Sequence, residues 1–361
     1  MSLEPLLRSL VRFPTLSADH RENQQALEWV AGQVPSQTFQ SRITVGGFPS
    51  LVLTTQRTKT PKLFLSAHID IVAGPKKMFR ARKVDRTLVG RGVFDMKYAI
   101  ACFVRLLKEL GSELSLYDFG VMITSDEEVG GKHGVPALLD RGYGSQCCFL
   151  PDGLHDWKLV SESKGVLHYR VVATGKSAHG SKPWLGQNAI ENLMAFLTDC
   201  RQAIPRVNKR DGKIRDTLNI GFIKGGHQAN SVASDAEATI NIRFVERDER
   251  AYRVLLERIR KRHAGIKLEP VLHASRFTVD RNDPTVTLWR KVAKKHTGRQ
   301  PVFESAMGTS DARFFSERNI PTIVTRPRGG NSHSDNEWID LADLERFYGV
   351  LKEFVSQVAK R

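Results

Sequence analysis

The chain has 361 residues, of which 40% are hydrophobic and 26% are charged. This length suggests about two globular domains with a sizeable core, and no apolar run approaches the roughly 18 residues of a membrane span. The N-terminus lacks a signal peptide's basic and apolar regions. Four cysteines without a Cys-x-x-Cys pair are typical of reduced thiols, so we expect a cytoplasmic protein.

The charge balance is strongly basic, with a net charge of +16 at pH 7. Nucleic-acid-binding proteins share this property. However, the lysines and arginines are dispersed and no nucleic-acid-binding motif appears, so a nucleic-acid partner is not predicted. One dense basic cluster comprises Lys76, Lys77, Arg80, Arg82, Lys83 and Arg86. It is either a solvated loop or a surface that steers an anionic substrate toward a cleft.

Strand-like and helix-like segments alternate over residues 1–162, which predicts a sheet with helices on both faces. Apolar runs at 62–67, 117–124 and 147–150 indicate buried strands. A helix is predicted after Asp95, because apolar residues recur there at helical spacing. These residues are Met96, Ile100, Phe103, Val104 and Leu107.

The pattern changes at Gly165. Strands are predicted at 165–174, 217–224 and 236–244, and helices at 188–200 and 249–263. This order is typical of a ferredoxin-like α+β sandwich. After Phe277 the α/β pattern returns, with a helix near 285–296 and a buried strand at 321–325. We therefore expect a discontinuous α/β domain, residues 1–164 and 276–361, with a smaller domain, residues 165–275, inserted into it.

Five acidic or imidazole side chains lie next to these predicted elements. They are His68, Asp95, Glu128, Asp152 and His333. Two imidazoles and three carboxylates suit two divalent metal ions that share one bridging carboxylate. Such ions lie roughly 3.5–4 Å apart, activate a water and polarise the bond under attack. His68 follows a buried strand, and ligands bind beyond the carboxyl ends of strands in open α/β sheets.

Each of these residues also has a simpler interpretation. Asp95 could cap the helix that follows it, Glu127 and Glu128 could form a solvated turn, and His68 could be a core histidine. The conjunction of all five residues favours the metal site. Asp70 then has a role as well, since its carboxylate could accept the second ring N–H of His68 and orient the imidazole.

These segments resemble the M20 family of metallopeptidases and deacylases over nearly the whole chain. His68-Ile-Asp70 is similar to the family's first metal motif. The segments from Gly90 to Lys97 and from Asp126 to Gly131 are similar to its Gly-Arg-Gly-x-x-Asp-Met-Lys and Asp-Glu-Glu-x-Gly-Gly motifs. The closing motifs resemble the segments from Gly308 to Asp311 and from His333 to Glu337. The chain departs from the family in its basic cluster and at Tyr98, where many members have Gly.

The resemblance implies a doubly wound zinc-peptidase domain that holds two zinc ions per chain, with cobalt or manganese as substitutes. Asp95 would be the bridging ligand, His68 and Asp152 would hold one metal, and Glu128 and His333 would hold the other. Further roles follow from the same resemblance. Glu127 would be the general base, and Asp70 would orient the first histidine.

The resemblance also implies that the inserted domain is a lid through which the chain forms a homodimer. His179 would reach the active site of the partner subunit and help to stabilise the oxyanion. Asn230, Arg243, Gly308 and Thr309 would contact the substrate, with Arg243 as a clamp for a carboxylate. Arg243 could instead be an ordinary solvated residue on the polar face of its strand.

The predicted function is metal-dependent hydrolysis of an amide bond in a small peptide or N-acyl amino acid. Glu127 would accept the proton of a metal-bridging water. Asp152 favours a peptidase, because the family tends to have Asp at this position in peptidases and Glu in acyl-amino-acid deacylases. A deacylase of the acetylornithine or succinyl-diaminopimelate type is the alternative. A catalytically silent relative that acts as a binding protein is a second hypothesis, and a nucleic-acid-binding protein, suggested only by the basic charge, is a third.

Overall fold

Apolar strands and amphipathic helices alternate along the first part of the chain. A computed structural model describes residues 2–204 and 214–361. Its first elements are α1 (Leu3–Val11), α2 (His20–Gln33), β1 (Phe39–Val45), β2 (Phe48–Thr54), β3 (Leu63–His68), β4 (Arg82–Val84), β5 (Thr87–Val89), α3 (Lys97–Leu110), β6 (Phe119–Thr124), α4 (Val135–Asp140), β7 (Cys147–Leu150) and β8 (Leu159–Ser163).

The remaining elements follow in two groups. The first group is β9 (Gly165–Thr174), α5 (Ala189–Ala203), β10 (Thr217–Gly225), β11 (Asp235–Phe244), α6 (Glu249–Arg260) and β12 (Ile266–Ala274). The second group is α7 (Pro284–Thr297), β13 (Phe303–Ala306), α8 (Ala312–Ser316), β14 (Thr322–Val324), β15 (Gly329–Gly330), β16 (Trp338–Asp340) and α9 (Leu341–Ala359). Short 3₁₀ turns occur at Lys76–Phe79, Gly111–Leu116, Glu127–Val129 and Pro183–Leu185.

The chain divides into two compact units. The first comprises Met1–Glu162, Thr278–Ala306 and Ser310–Arg361, and the second comprises Ser163–Phe277 and Met307–Thr309. The predicted domain boundaries, 164/165 and 275/276, lie within two residues of the division at either end of the second unit's main segment. The predicted role of that unit as a lid and dimerisation domain stays a prediction.

The first unit is built on a mixed sheet. Within the described residues it has six strands in the order β1-β2-β6-β3-β7-β14. The strands β6, β3, β7 and β14 run parallel, whereas β2 is antiparallel to both of its neighbours. Parallel strands place their carboxyl ends at one edge, so the sheet brings residues from distant parts of the chain together.

Helices cover both faces of this sheet. On the central strand β3, Leu63, Leu65 and Ala67 pack on one face with side chains of α1, α2, α3, α7 and α9. Phe64 packs on the other face, where α8 contributes Phe315. This alternation follows from the two-residue period of a strand. A strand buried on both faces is continuously apolar, and the predicted doubly wound arrangement is confirmed.

Local capping explains where α7 begins and ends. Asp283 accepts a hydrogen bond from the backbone N–H of Thr285 (2.8 Å). Pro284 occupies the first turn, where no intrahelical N–H bond is required. The helix ends before Gly298, whose φ of +72° is readily adopted only by glycine. The helix predicted near 285–296 therefore forms with nearly those bounds.

The second unit contains a four-stranded sheet among its described residues, in the order β10-β11-β9-β12. All of its strand pairs are antiparallel. Ile240 and Ile242 of β11 are buried in the same apolar cluster as Phe196 of α5 and Tyr252 of α6. This strand order and the two helices form the predicted ferredoxin-like α+β sandwich.

Candidate metal centre

Three parallel strands deliver candidate ligands to one edge of the sheet in the first unit. β3 ends at His68, Asp152 follows β7, and β6 leads into the turn Glu127–Val129. Because β3 lies between β6 and β7, these side chains meet at the carboxyl edge. His333 joins them from the loop between β15 and β16.

Asp95 does not cap the helix that follows it. The helix α3 begins at Lys97, and Met96 occupies the cap position without a side-chain hydrogen bond. The backbone N–H groups of Phe94 and Asp95 instead donate to Oε1 of Glu337, at 2.8 and 3.0 Å. Glu337 is fully buried. The interpretation of Asp95 as a helix cap is therefore wrong, and its carboxylate lies among the candidate metal ligands instead.

The two carboxylate oxygens of Asp95 face two different imidazoles. Oδ1 lies 3.4 Å from His68 Nε2, and Oδ2 lies 3.3 Å from His333 Nε2. His333 Nε2 also lies 3.1 Å from Glu128 Oε1. Ligand atoms around one tetrahedral zinc ion are separated by about 3.3 Å, because each bond to zinc is about 2.0–2.1 Å long. Asp95 therefore lies where a bridging ligand is required.

The donor set fits a metal centre. Candidate ligand atoms of His68, Asp95 and Asp152 lie within 4.8 Å of one another, and those of Asp95, Glu128 and His333 do so as well. His68 Nε2 is buried and has no hydrogen-bond partner in the described part of the chain. A buried nitrogen without a partner is costly unless a ligand satisfies it. The structure thus brings all the predicted ligands together in two groups that share Asp95.

The charges of the site stabilise one another. Burial opposes ionisation of Asp95, but Arg326, His333 and His68 hold the pKa of its carboxyl well below its usual range. Hydrogen bonds to Asp95 and Glu128 raise the pKa of His333 to about 10. Without metal, the imidazoles are therefore stabilised as cations by the carboxylates around them. A bound metal would take over that role from the protons.

Asp70 contacts His68 through both its backbone carbonyl and its carboxylate. The nearest acceptor to His68 Nδ1 is the backbone carbonyl oxygen of Asp70 at 3.0 Å, while the carboxylate Oδ1 lies at 3.4 Å. The Asp70 carboxylate also accepts the backbone N–H groups of Glu127 (3.3 Å) and Glu128 (3.0 Å) and the hydroxyl of Ser17 (2.7 Å). Asp70 therefore orients both the ring of His68 and the turn that carries the two glutamates.

Glu127 lies among charged neighbours. One of its carboxylate oxygens lies within 4.8 Å of possible ligand atoms of His68 and Glu128. Burial and the negative charge of Asp152 raise the pKa of Glu127 well above its usual range. Asp311 adds to this effect, and burial raises the pKa of Asp311 itself to about 8. A carboxyl group with a raised pKa beside candidate metal ligands is typical of a proton-transferring residue.

Two residues in the site were not anticipated from the sequence. Arg326 Nη2 lies 2.9 Å from Asp95 Oδ1 and also contacts Asp152 Oδ1. It follows β14, so the strand-end rule that identified His68 could have found it. Tyr98, the departure from the family motif, is buried and donates its hydroxyl to the carbonyl of Pro151 at 2.6 Å. It therefore supports the loop that carries Asp152.

In the second unit, the structure brings His179 and Asn230 together. His179 is exposed and forms an isolated bridge with Ser231. Its neighbour Gly180 donates its backbone N–H to the carbonyl of Asn230 at 2.7 Å. His179 Nδ1 lies 2.8 Å from the hydroxyl of Ser181. His179 and Asn230 therefore lie on two neighbouring loops of the second unit, although they are about 50 residues apart in sequence.

The other predicted substrate contacts differ in their surroundings. Arg243 lies on the half-buried polar face of β11, as the alternation predicts. Its Nε donates to Asn241 Oδ1 at 3.0 Å, and burial lowers the pKa of its guanidinium. Gly308 and Thr309 group with the second unit through Met307–Thr309. Gly308 is exposed and Thr309 is half-buried.

The basic cluster is partly neutralised. Lys83 pairs with Glu4 at 3.2 Å, and Arg86 pairs with Asp340 at 3.2 Å. These pairs agree with the solvated-loop interpretation for two of its members. Three other members, Lys76, Lys77 and Arg80, line a groove of about 1100 Å³. Its basic lining residues are Arg8, Arg12, Lys76, Lys77 and Arg80. Whether this groove steers an anionic substrate stays a prediction.

Known proteins are similar to this chain over most or nearly all of its length. A succinyl-diaminopimelate desuccinylase of Methylorubrum populi is 30% identical, covering 97% of this chain and 98% of that protein. A probable carboxypeptidase of Aspergillus flavus is 28% identical over 70% of this chain and 67% of its own length. Within the described ranges, no helix combines the length and apolar character needed to cross a membrane.

Solved structures share the fold over nearly the whole chain. The aminopeptidase PepT of Bacillus cereus has a TM-score of 0.80 at 19% identity and covers 99% of this chain and 98% of its own. The metallo-carboxypeptidase Sso-CP2 of Sulfolobus solfataricus has a TM-score of 0.79 at 15% identity, with 98% of each chain covered. At these identities the likeness shows the fold alone. The model of peptidase family M20/M25/M40 matches residues 64–357, and the chain therefore belongs to this family and is an M20-type hydrolase.

Proposed function

We propose that the protein hydrolyses an amide bond with two zinc ions bound at the cluster around Asp95. His68 and Asp152 would hold one ion, Glu128 and His333 the other, and Asp95 would bridge them. The observation that carries this proposal is that the two oxygens of Asp95 face different imidazoles at 3.4 and 3.3 Å. When bound, the ions supply an acidified water and an electrophile for the scissile carbonyl. Cobalt or manganese could replace zinc, since imidazole and carboxylate ligands suit all three.

Glu127 would transfer the proton. Its backbone N–H donates to the Asp70 carboxylate, as does that of Glu128, so one fixed turn carries both glutamates. Glu127 would accept the proton of the attacking water and then deliver it to the leaving amine. A raised pKa favours the second step, because the protonated form must persist until the amine departs. Asp70 contributes by positioning, through the turn and through the ring of His68.

The second unit would supply the remaining contacts. His179 would stabilise the oxyanion, and Asn230 would assist beside it, as their shared position in the fold suggests. Arg243 would grip a substrate carboxylate. Within the described residues, no carboxylate forms an ion pair with Arg243, although its guanidinium is half-buried. A half-buried guanidinium without an anionic partner favours such a ligand. Gly308 and Thr309 would line the same substrate site.

We also propose a homodimer formed through the second unit. Among the residues that the structure describes, its edge strand β10 pairs with a strand on one side only. Two large apolar side chains are exposed there, Phe222 at 44% and Ile223 at 52%. An exposed edge strand with apolar side chains is a ready surface for pairing with another chain. A cytoplasmic location remains part of the proposal, on the basis of the four free and buried cysteines.

Short peptides are the proposed substrates. Asp152 at the ligand position supports this choice, and so does the similarity to the probable carboxypeptidase of Aspergillus flavus. The alternative is an N-acyl amino acid, which the succinyl-diaminopimelate desuccinylase of Methylorubrum populi supports through its similarity over almost the full chain. A silent binding protein is disfavoured, because the ligand set and Glu127 are all present.

A substrate panel tests this proposal. Zinc-loaded protein is assayed with dipeptides, tripeptides, N-acetyl amino acids and N-succinyl amino acids, with Asp95→Asn as the matched inactive control. We expect the highest kcat/KM on a di- or tripeptide and no activity in Asp95→Asn or after chelation. A tenfold preference for an N-acyl amino acid, about 1.4 kcal/mol of transition-state binding, would establish the deacylase instead. Activity that survives in Asp95→Asn would refute the metal mechanism.

A further inference from the structure

One cation is already present among the candidate metal ligands. Arg326 follows β14, and its side chain is only 9% exposed. Its Nη2 bonds to both Asp95 Oδ1 (2.9 Å) and Asp152 Oδ1, while its Nη1 donates to the hydroxyl of Ser332 at 3.2 Å. The guanidinium carbon lies 5.1 Å from the centre of the Phe94 ring, a cation–π contact. The guanidinium is thus fixed from several sides.

The bonded oxygens belong to one half of the proposed site. Asp95 Oδ1 is the oxygen that faces His68 Nε2 at 3.4 Å, and Asp152 completes that ligand group. An N–H that points at a carboxylate oxygen occupies one of the lone pairs that a metal could bind, and its positive charge repels the metal cation. The second group uses Asp95 Oδ2, Glu128 and His333. In the described residues, no hydrogen bond or ion pair joins Arg326 to Glu128, His333 or Asp95 Oδ2.

We propose that Arg326 competes with metal for the His68–Asp95–Asp152 half of the site, so that the two halves fill in order. The Glu128–His333 half binds the first ion. The other half binds the second ion only when the guanidinium withdraws from Asp95 and Asp152. A ligand that needs a minor conformation loses apparent affinity in proportion to that conformation's population. This inference rests on the proposed two-metal function.

The orphan nitrogen of His68 supports the same conclusion. His68 Nε2 is buried without a hydrogen-bond partner in the described part of the chain, whereas the two oxygens beside it are bonded to Arg326. The guanidinium therefore satisfies the carboxylates of this half but not its imidazole. A metal ion would satisfy all three, which gives the second ion a reason to bind once Arg326 withdraws. Arg326 is a positioning residue in this arrangement, since it acts on metal ligands.

Zinc titration against a competing chelator tests the proposal without measuring turnover. The full-length wild-type protein should bind two equivalents in two steps whose dissociation constants differ by about 10- to 100-fold, a range typical of coupling between sites. His333→Ala should remove the tight step, and His68→Ala should remove the weak step. Arg326→Met should bring the two constants to within about threefold by tightening the weak step. Arg328→Met, an exposed arginine two positions away, should titrate like the wild type.

Thermal unfolding provides a second readout. Arg326→Met should lower Tm in metal-free protein, because two buried carboxylates lose their cation. Its rise in Tm on zinc addition should exceed that of the wild type. Two equal zinc constants in the wild type would overturn the proposal, and so would an unchanged ratio of constants in a folded Arg326→Met. If Arg326→Met does not fold, the ratio of the two zinc dissociation constants in the wild type tests the proposal by itself. Failure of the proposed function is distinct, since fewer than two equivalents of zinc would then bind at saturation.

Discussion

Oε1 of the buried Glu337 accepts the backbone N–H of Asp95 at 3.0 Å. This bond fixes the backbone of the proposed bridging ligand. Oε2 of the same side chain accepts the backbone N–H of Gly92 and a guanidinium N–H of Arg91, each at 3.1 Å. Glu337 therefore satisfies donors throughout the loop that ends at Asp95. The loop's own backbone bonds join Val93 to Gly90 and Lys97 to Gly92, and the N–H groups of Phe94 and Asp95 bond to Glu337 instead.

Glu337→Gln should weaken both stability and metal binding. The amide NH₂ would face N–H donors, and a buried donor left without an acceptor costs about 1–3 kcal/mol. Urea unfolding of metal-free protein measures the first effect, and zinc competition against a chelator measures the second. Glu304→Gln is the control, because Glu304 is part of a surface ion pair with Lys158 at 2.7 Å. Equal behaviour of the two variants would show that Glu337 does not position Asp95.

Glu127→Gln should lower the catalytic rate, whereas Glu128→Gln should lower the affinity for zinc. Glu127→Gln should retain the wild-type zinc content and lose roughly 10²–10⁴-fold in kcat, the usual contribution of a general base. Glu128→Gln should lose zinc affinity, since its Oε1 lies 3.1 Å from His333 Nε2 in one ligand group. Metal analysis and steady-state kinetics on both variants measure these effects. Near-wild-type turnover in Glu127→Gln would exclude Glu127 as the base.

Glu109 predicts a pH dependence of stability outside the metal site. Burial opposes its ionisation, but hydrogen bonds from Lys352, Arg105 and Tyr348 lower its pKa from 4.5 to about 2. A lowered pKa stabilises the fold above the unfolded value, and this stabilisation disappears as pH falls from 4.5 toward 2.

Glu109→Gln should therefore reduce the free energy of unfolding by about 1 kcal/mol at pH 7, since the group is largely solvated. The difference from the wild type should be constant between pH 6 and 8 and shrink steadily between about pH 5 and 3. Urea unfolding at each pH measures it. A difference that is the same at pH 3.5 as at pH 7 would mean that the carboxylate's charge is not the cause.

Complementation between inactive chains tests the proposed role of His179 in a dimer. His179→Ala and Glu127→Gln chains, mixed in equal amounts, should recover about a quarter of wild-type activity. Half of the dimers are then mixed, and each mixed dimer has one intact site. Glu127→Gln mixed with Glu128→Gln is the control and should stay inactive. An absence of rescue in verified mixed dimers would show that His179 does not act across a subunit boundary.

The part of the site that lies at strand ends could be predicted from the sequence. His68, Glu128 and Asp152 each follow a buried apolar run, and parallel strands bring such positions to one edge. The helix after Asp95 was also predictable from its spacing. These features depend on local hydrophobic periodicity, which a single sequence displays directly.

The contacts that organise the site could not be predicted in the same way. Glu337 bonds to the loop at Asp95 across 242 residues of sequence, and Arg326 bonds to Asp95 across 231. The strand-end rule marks the position of Arg326 but not its partners, and Glu337 alone is a charged residue near a loop, a pattern typical of solvated surfaces. The sequence also could not predict which oxygen of Asp70 lies nearest to His68 Nδ1. The backbone carbonyl and the carboxylate belong to the same residue, and only the conformation of the turn determines which of them is closer.

Anomalous diffraction from crystals of the zinc-loaded protein measures the proposed centre directly. With saturating zinc, we expect two peaks per chain, roughly 3.5–4 Å apart, one on each side of the Asp95 carboxylate. One peak should lie beside His68 and Asp152, and the other beside Glu128 and His333. A single peak or none at saturating zinc, or two peaks without Asp95 between them, would contradict a bridged two-metal hydrolase.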